Sequence, residues 1–350
     1  MTLPRIHIGR PQRLAALLLL AFFAECLWIV AHQPLSSAVV SLHGDGIFAQ
    51  RVLELPLAAL HLAHCNSPRA TLLLLHVPFA LFAVWLGGGL WWVSRRLFGN
   101  EGGFFALALY CFCPAILRFA TTPNNDLLAA WGLYGLVYTA MGVAHAMQSP
   151  RRKWRPRIML LTLALGLTAA AHLLAAVAGF IAAVAFIMYL AEGRRKTALQ
   201  ILAFAAMGAF AILFAAYGFH PAALRFALPG EALRLSLAGP QSFASSRANL
   251  PILIATGVAA LLYLGTRRSR YFGNTAPLLM VLALAPLAGM GSQIAIEPWL
   301  WAMPFLFTFL GGVFADALET SVRKLFLVLV GAILSAQAIL CLAALPSLAR

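Results

Sequence analysis

The sequence predicts an all-α, polytopic integral membrane protein with about eleven transmembrane helices and with interfacial helices in its external loops. Of its 350 residues, 62% are hydrophobic and only 10% are charged, and the mean hydropathy is +0.88. Apolar runs of about 20 residues recur along the whole chain, which is the length that a helix needs to cross a bilayer. Basic residues stand in short clusters between these runs, as they do in the cytoplasmic loops of membrane proteins.

The predicted spans follow the apolar runs in order. They are residues 14–31, 70–93, 102–120, 126–147, 158–171, 175–191, 197–216, 250–265, 276–291, 299–315 and 325–344. The stretch over 158–191 is divided because a single helix of that length would measure about 51 Å, whereas the bilayer core is about 30 Å thick. Both of its ends are basic, so it is predicted to form a hairpin that turns near His172.

Charge placement predicts the orientation of the chain. If the N-terminus is cytoplasmic, 18 of the 25 lysine and arginine residues fall in cytoplasmic clusters, as the positive-inside rule expects. The chain would then lie in a bacterial inner membrane, with its two longest loops, 32–69 and 217–249, outside. Each of these loops contains a stretch that could lie as an amphipathic helix in the interface. The net charge of +15 would also suit nucleic acid, but the basic residues form no single patch, so no nucleic-acid partner is expected.

Acidic residues are informative because charge is costly inside hydrocarbon. Glu25 alone falls inside a predicted span. Asp45 lies in a glycine-flanked turn after the first span, and Asp126 opens the fourth span, so both are predicted at the outer membrane surface. Each also has a structural interpretation, since aspartate favours turns and is a good residue for the N-terminus of a helix. The five acids predicted outside are Asp45, Glu54, Asp126, Glu231 and Glu297.

Two segments carry a family likeness: HGDGIFAQRVLE, from His43 to Glu54, and RRLFGNEGGFFALALYCFCPAILRFATTPNNDLLAAWGLY, from Arg95 to Tyr134. They resemble the C-type (GT-C) membrane glycosyltransferases that use polyprenyl-phosphate sugars, such as the protein O-mannosyltransferases and the lipid A aminoarabinose transferases. In that family, one acid in the first external loop and a second at the outer end of the fourth span flank the active site. By position these correspond to Asp45 and Asp126. The likeness covers roughly residues 10–190, and Gly46 stands where the family commonly has a further acid.

The resemblance implies transfer of a sugar from a polyprenyl-phosphate carrier to an acceptor at the external, periplasmic face. Asp45 would be the general base, and Asp126 would orient the acceptor or, with Asp45, hold a divalent metal ion; the metal requirement and the acceptor are left open. Arginine binds phosphate through a two-pronged fork, so Arg118 is the first candidate for the donor phosphate. The remaining predicted substrate-binding residues are His43, Glu54, His172, Arg225 and Arg234.

The resemblance also divides the chain into two parts. Residues 1–216 would form an N-terminal GT-C-like module that includes the first external loop, 32–69. Residues 217–350 would supply the loop 217–249 and the C-terminal helices. Membrane lipids and the lipid-linked sugar are the partners that this organisation implies.

Several alternatives remain open from the sequence. A multi-pass transporter or lipid flippase would also need many spans, although such proteins usually carry ionisable residues near the midplane or repeated halves with broken helices. A non-catalytic membrane subunit of GT-C-like fold would account for Gly46. Each external arginine could instead reach towards lipid headgroups. A cleaved signal peptide is an alternative for the first apolar run, although that run is long enough to span a bilayer.

Overall fold

Helices account for nearly all of the secondary structure, which confirms the predicted all-α class. The structure, a computed structural model, describes residues 9–34, 52–54, 56–58, 67–148, 154–220, 234–235, 238–266, 274–288, 290–291 and 299–349. Within these ranges the strands are limited to β1 (Arg234–Leu235) and β2 (Met290–Gly291), which pair antiparallel. The apolar helices and their length make the chain an integral membrane protein.

The helices follow the predicted apolar runs. In chain order they are α1 (Arg10–His32), α2 (Pro68–Cys111), α3 (Pro114–Ala120), α4 (Asn125–Met147), α5 (Arg155–Ala171), α6 (Leu173–Leu190), α7 (Arg195–Ala216), α8 (Ala238–Ser245), α9 (Leu250–Thr266), α10 (Thr275–Ala288), α11 (Trp299–Leu318) and α12 (Arg323–Leu348). A 3₁₀ turn, Arg247–Asn249, precedes α9. The predicted hairpin at His172 is confirmed, because α5 ends and α6 begins on either side of this residue, whose backbone is extended.

The 44 residues of α2 contain two helical segments that meet at Gly99. This glycine has φ of +82°, a conformation that residues with a Cβ rarely adopt. The chain folds back there, since Arg95 Nε donates to Asn100 Oδ1 at 2.7 Å and a Cβ on Gly103 would lie 2.9 Å from the Cβ of Arg95. Gly99 therefore separates the second predicted span from the third, which continues through α3.

Eight of the described helices are long and apolar enough to cross a membrane. One of these is α2, which holds parts of two predicted spans, and the 17-residue α5 and the 14-residue α10 are shorter. Each of the eleven predicted runs coincides largely with helix, although the run 276–291 ends in the strand β2. The number of helices that cross the bilayer stays a prediction. Of the first predicted interfacial stretch, the structure describes helical residues at 52–54 and 56–58. Of the second, residues 223–237, it describes only Arg234 and Leu235, which form a strand, and the helix α8 begins after that stretch.

Successive long helices run in opposite directions, so the bundle has two distinct ends. At the first, which we call the Asp126 end, Arg69 donates to the carbonyls of Ala31 and Gln33 at 2.8 and 3.0 Å. At the second, the basic end, Arg323 forms an ion pair with Glu101 at 2.9 Å. The described members of the basic clusters lie at the basic end: Arg10, Arg13, Arg95, Arg96, Arg155, Arg157, Arg194, Arg195, Lys196, Arg323 and Lys324.

The core is centred on α11, which packs against α2, α4 and α10. Its aromatic side chains are among the largest fully buried ones, including Trp301, Phe305 and Phe314. Glu25 lies on the buried face of α1, and its Oε2 accepts no hydrogen bond from any residue in the described ranges. Both α4 and α11 begin at the Asp126 end, and both helices are largely buried. Packing therefore fixes the positions of their first turns.

Candidate functional site

Asp126 lies in the first turn of α4 and is almost fully buried, with 4% of its surface exposed. The cap of this helix is Asn124, whose Oδ1 accepts a hydrogen bond from the Leu127 amide at 2.8 Å. The cap interpretation considered for Asp126 therefore applies to Asn124 instead. The carboxylate of Asp126 still benefits from the positive end of the helix dipole.

The turn before Asp126 is fixed from two sides. The side-chain amide of Asn124 donates to the carbonyls of Phe119 and Thr122 at 2.8 and 2.9 Å. From α2, the buried His76 uses Nδ1 to bond the Thr121 carbonyl at 2.5 Å. These bonds hold the start of α4 against both α2 and α3, so the position of Asp126 is set by three helices.

Trp301 is a direct hydrogen-bond partner of Asp126. Its Nε1 donates to Asp126 Oδ1 at 3.0 Å, and the indole is completely buried. Further along the same two helices, Tyr134 and Thr308 join their hydroxyls at 2.9 Å. Two hydrogen bonds thus set the register of α4 against α11. A hydrogen bond to a carboxylate in a low-dielectric interior is stronger than one between neutral groups, so the Trp301 N–H holds the side chain of Asp126 in position.

His172 completes this group, which we call the Asp126 cluster: Asp126, Trp301 and His172. The imidazole meets the Trp301 indole edge to face, with ring centroids 4.7 Å apart. Its Nδ1 is buried and has no hydrogen-bond partner among the described residues. Burial lowers the pKa of His172, at the turn outside the helices, to about 4. The imidazole is therefore neutral at pH 7, and its unprotonated ring nitrogen can accept a hydrogen bond.

This pKa gives a testable pH dependence of stability. The folded protein binds a proton at His172 less readily than the unfolded chain, in which histidine has a pKa of about 6.5. The stability that this preference contributes is complete above about pH 6.5 and is lost as the pH falls towards about 4. We expect the melting temperature in detergent to fall more steeply between pH 7 and pH 5 for the parent than for His172→Phe.

The control is His220→Phe, at an exposed histidine beyond α7 at the same end of the bundle. It should leave the pH dependence of the melting temperature unchanged. Equal slopes for the parent and His172→Phe would contradict a neutral, buried imidazole at position 172.

Arg118 stands at the same end, in the last turn of α3. Its side chain is exposed, and the guanidinium makes no hydrogen bond or ion pair with any residue that the structure describes. The adjacent Phe119 is buried and packs edge to face on Trp299, 5.9 Å between ring centroids. Trp299 also meets Phe243 of α8 at 5.4 Å. This aromatic contact ties the Arg118 turn to the start of α11, two residues before Trp301.

Of the other predicted site residues, some are described in part and some lie outside the described residues. Glu54 is exposed in the short helical turn 52–54 and has an interaction partner. The backbone of Arg234 pairs with that of Gly291. The side chain of Arg234 is not among the described parts of the chain. His43, Asp45 and Arg225 lie outside the described residues. Asp126 and His172 thus both contact Trp301, and Arg118 lies at the same end of the bundle.

The described residues alone do not form a metal-binding site. Within the described ranges, no group of three or more His, Cys, Asp or Glu side chains is placed to hold one. An ion at Asp126 would need ligands from residues outside those ranges, such as Asp45.

Trp301 is the site residue that sequence reasoning missed. It lies in the segment EPWLWAMP at the start of a predicted span, where tryptophan normally marks the membrane interface. Nothing in that local pattern indicates a carboxylate partner, because the partner is 175 residues away along the chain.

Comparison with known proteins shows a likeness at the level of the fold. No protein-family model matches the sequence, and no curated protein matches it. The crystal structure of ArnT from Cupriavidus metallidurans in the apo state is similar to this structure, with a TM-score of 0.54 and 14% sequence identity. The match covers 95% of this chain and 72% of that chain. ArnT is a lipid A aminoarabinose transferase of the GT-C class. The chain is therefore an integral membrane protein with a GT-C-like fold.

Proposed function

We propose that the protein is a membrane glycosyltransferase that moves a sugar from a polyprenyl-phosphate carrier to an acceptor at the periplasmic face of a bacterial inner membrane. The observation that carries this proposal is the Asp126 cluster. In this cluster a carboxylate accepts a hydrogen bond from an indole N–H, and a neutral imidazole packs against the same indole, at one end of a GT-C-like bundle. Acids in this position flank the active site in the family that the sequence resembles.

The reaction requires a base, a positioned acceptor and a stabilised leaving group. An acceptor hydroxyl oxygen bonds to the anomeric carbon, while the bond from that carbon to the phosphate oxygen breaks and polyprenyl phosphate leaves with the electron pair. The hydroxyl proton passes to a base, for which Asp45 is the candidate. Such assistance is worth about 10²–10⁴-fold. Asp126 orients the acceptor, since a carboxylate in a largely water-free site is a strong acceptor of hydrogen bonds.

Arg118 is the candidate for the departing phosphate. Its guanidinium has no competing partner among the described residues and stands beside the turn that leads into Asp126. A planar fork can bind two phosphate oxygens at once and can stabilise the charge that develops as the bond breaks. Arg247, exposed in the 3₁₀ turn, is the other described arginine at this end without a described partner.

Arg118→Lys is expected to lower the transfer rate at subsaturating donor by about tenfold. Lysine keeps the charge but loses the fork, so one of the two parallel hydrogen bonds to phosphate is lost. The measurement is the initial rate against polyprenyl-phosphate sugar concentration in proteoliposomes. Arg195→Lys, at an exposed arginine of the basic end, is the matched control and should match the parent. If Arg247→Lys fails while Arg118→Lys matches the parent, the phosphate site lies beside the 3₁₀ turn instead.

The orientation is testable by cysteine labelling in a background that lacks the native cysteines. Ser67 and Ser242 are exposed at the Asp126 end, and Val322 is exposed at the basic end. Since basic loops are retained in the cytoplasm, we expect a membrane-impermeant maleimide to label Ser67→Cys and Ser242→Cys in intact cells. Val322→Cys should react only after permeabilisation. The reverse pattern would put the Asp126 cluster on the cytoplasmic side and would overturn the periplasmic assignment.

A further inference from the structure

A groove of about 200 Å³ opens on the membrane-facing side of the bundle, between α2, α4 and α5. Its walls include Trp85 on α2 and Leu160 on α5, which are 62% and 55% exposed, and Trp131 on α4. The Trp85 and Trp131 rings lie 4.7 Å apart at one end of it. In a membrane-spanning chain, hydrocarbon is the solvent that meets such side chains, so the groove is a lined recess that a lipid chain can enter.

Gly89 and Gly135 form the floor of the groove, and neither packs closely against a neighbouring helix. A Cβ added to Gly89 or to Gly135 would meet nothing within 4 Å. Gly132 differs, since a Cβ there would come within 2.3 Å of Thr168 Oγ1, as expected where two helices pack closely. Helix packing therefore explains Gly132 but leaves the space above Gly89 and Gly135 unexplained.

Two arginines stand at the basic end of this groove. Arg96 lies on the same helical stripe as Gly89, and its guanidinium sits over the exposed Trp92 ring at 5.3 Å from the centroid. Arg157 lies on the same stripe of α5 as Leu160 and donates through Nη1 to the Gly142 carbonyl at 2.6 Å. Arginine carries five N–H donors, so Arg157 keeps others for a ligand.

The distances along the helices fit one lipid leaflet. From Gly142 to Trp131 the axis of α4 runs about 16 Å, and half of a bilayer core is about 15 Å. A lipid whose phosphate lies between Arg96 and Arg157 would therefore place its acyl chain along the glycine floor, with its end near the two tryptophans. The groove lies on the face of α4 opposite Asp126, as the helical spacing of Gly135 and Asp126 requires, so it is separate from the Asp126 cluster.

We propose that this groove is a binding site for an anionic diacyl phospholipid of the leaflet at the basic end. Its phosphate binds Arg96 and Arg157, and one acyl chain fills the groove between Trp85, Trp131 and Leu160. The charge of the two guanidinium groups selects an anionic headgroup over a zwitterionic one. This site is independent of the proposed transfer reaction, and its test requires no sugar donor.

The test is native mass spectrometry of the purified full-length protein in detergent, with phosphatidylglycerol or phosphatidylcholine added at equal concentration. The parent should retain phosphatidylglycerol on the order of fivefold more than phosphatidylcholine. Arg96→Gln, at an exposed position, should remove most of that preference. Gly135→Leu should lower retention of both lipids by roughly tenfold, because the new side chain occupies the space of the acyl chain.

Two control variants match these changes elsewhere on the membrane-facing surface. Arg195→Gln removes an exposed charge from the basic end of α7. Gly331→Leu adds a side chain at an exposed position of α12, where an added Cβ would meet nothing within 4 Å. Both should retain lipid like the parent. Equal retention of the two lipids by the parent, or an unchanged result for Gly135→Leu, would overturn the proposal. Losses in the controls as large as those in the groove variants would also overturn it.

Discussion

Asp126→Asn is expected to lower the rate of sugar transfer by about 10²-fold while the protein stays folded, because Asp126 orients the acceptor and misplacement of a reacting group costs about that much. The substitution removes the charge but keeps an oxygen that can accept the Trp301 N–H, so the 3.0 Å hydrogen bond between α11 and α4 can persist. The cap of α4 is unaffected because Asn124 provides it. The measurement is the transfer rate in proteoliposomes beside the melting temperature in detergent.

Asn124→Asp is the matched control for this change. Aspartate caps a helix about as well as asparagine, so the start of α4 should be preserved, although the loss of the side-chain N–H bonds to Phe119 and Thr122 will cost some stability. Transfer should fall less than in Asp126→Asn, because the cap of α4 and the carboxylate of Asp126 both remain. An Asp126→Asn protein that transfers sugar at the parental rate would show that this carboxylate is structural.

Trp301→Phe is expected to lower the maximal transfer rate by about 10- to 100-fold. The donor concentration that gives half of the maximal rate should change little. The phenyl ring preserves most of the buried apolar contact but removes the N–H that holds Asp126 Oδ1. A hydrogen bond to a charged group contributes about 1.5–3 kcal/mol. Trp301 acts through Asp126, so it is a positioning residue and the loss should fall on the maximal rate.

Trp91→Phe is the control for removing an indole N–H. Trp91 is also buried, but its Nε1 has no hydrogen-bond partner among the described residues. Its replacement should therefore leave transfer near the parental rate. If Trp301→Phe and Trp91→Phe have the same small effect, the hydrogen bond to Asp126 does not contribute to the reaction.

The sequence predicts the helices of this protein well because the signals are local. Apolar length identifies a span, and two basic ends on one long apolar stretch require a hairpin, which the structure places at His172. The bend at Gly99 follows from the same rules, since RRLFGNEGG separates two apolar runs. Length alone does not give the number of helices that cross the bilayer, because α5 and α10 are short.

The site was only partly predictable because its contacts join distant parts of the chain. Asp126 was identified through its position after a short turn, and its burial follows from the packing of α4 against α11. The indole partner depends on the register between those two helices, which a single sequence does not encode in any local pattern. His172 was expected near the site from the hairpin, whereas its contact with the Trp301 ring depends on the same packing.

The fold match shows the architecture that holds the Asp126 cluster. GT-C-like proteins include ArnT, but 14% identity transfers the fold and not the substrate. The sugar and the acceptor must therefore be determined from the protein itself. The exposed guanidinium of Arg118 and the buried carboxylate of Asp126 at one end of the bundle are consistent with separate positions for the donor phosphate and the acceptor.

The most direct test is the release of polyprenyl phosphate from labelled polyprenyl-phosphate sugars. Purified protein is reconstituted in proteoliposomes with each of a panel of hexose and pentose donors, together with a cell-envelope extract as the source of acceptor. The proposed function predicts that the parent releases free polyprenyl phosphate from at least one donor and moves the label to the acceptor fraction, and that Asp126→Asn does neither. Release at the same rate from the parent, from Asp126→Asn and from empty liposomes for every donor would contradict it.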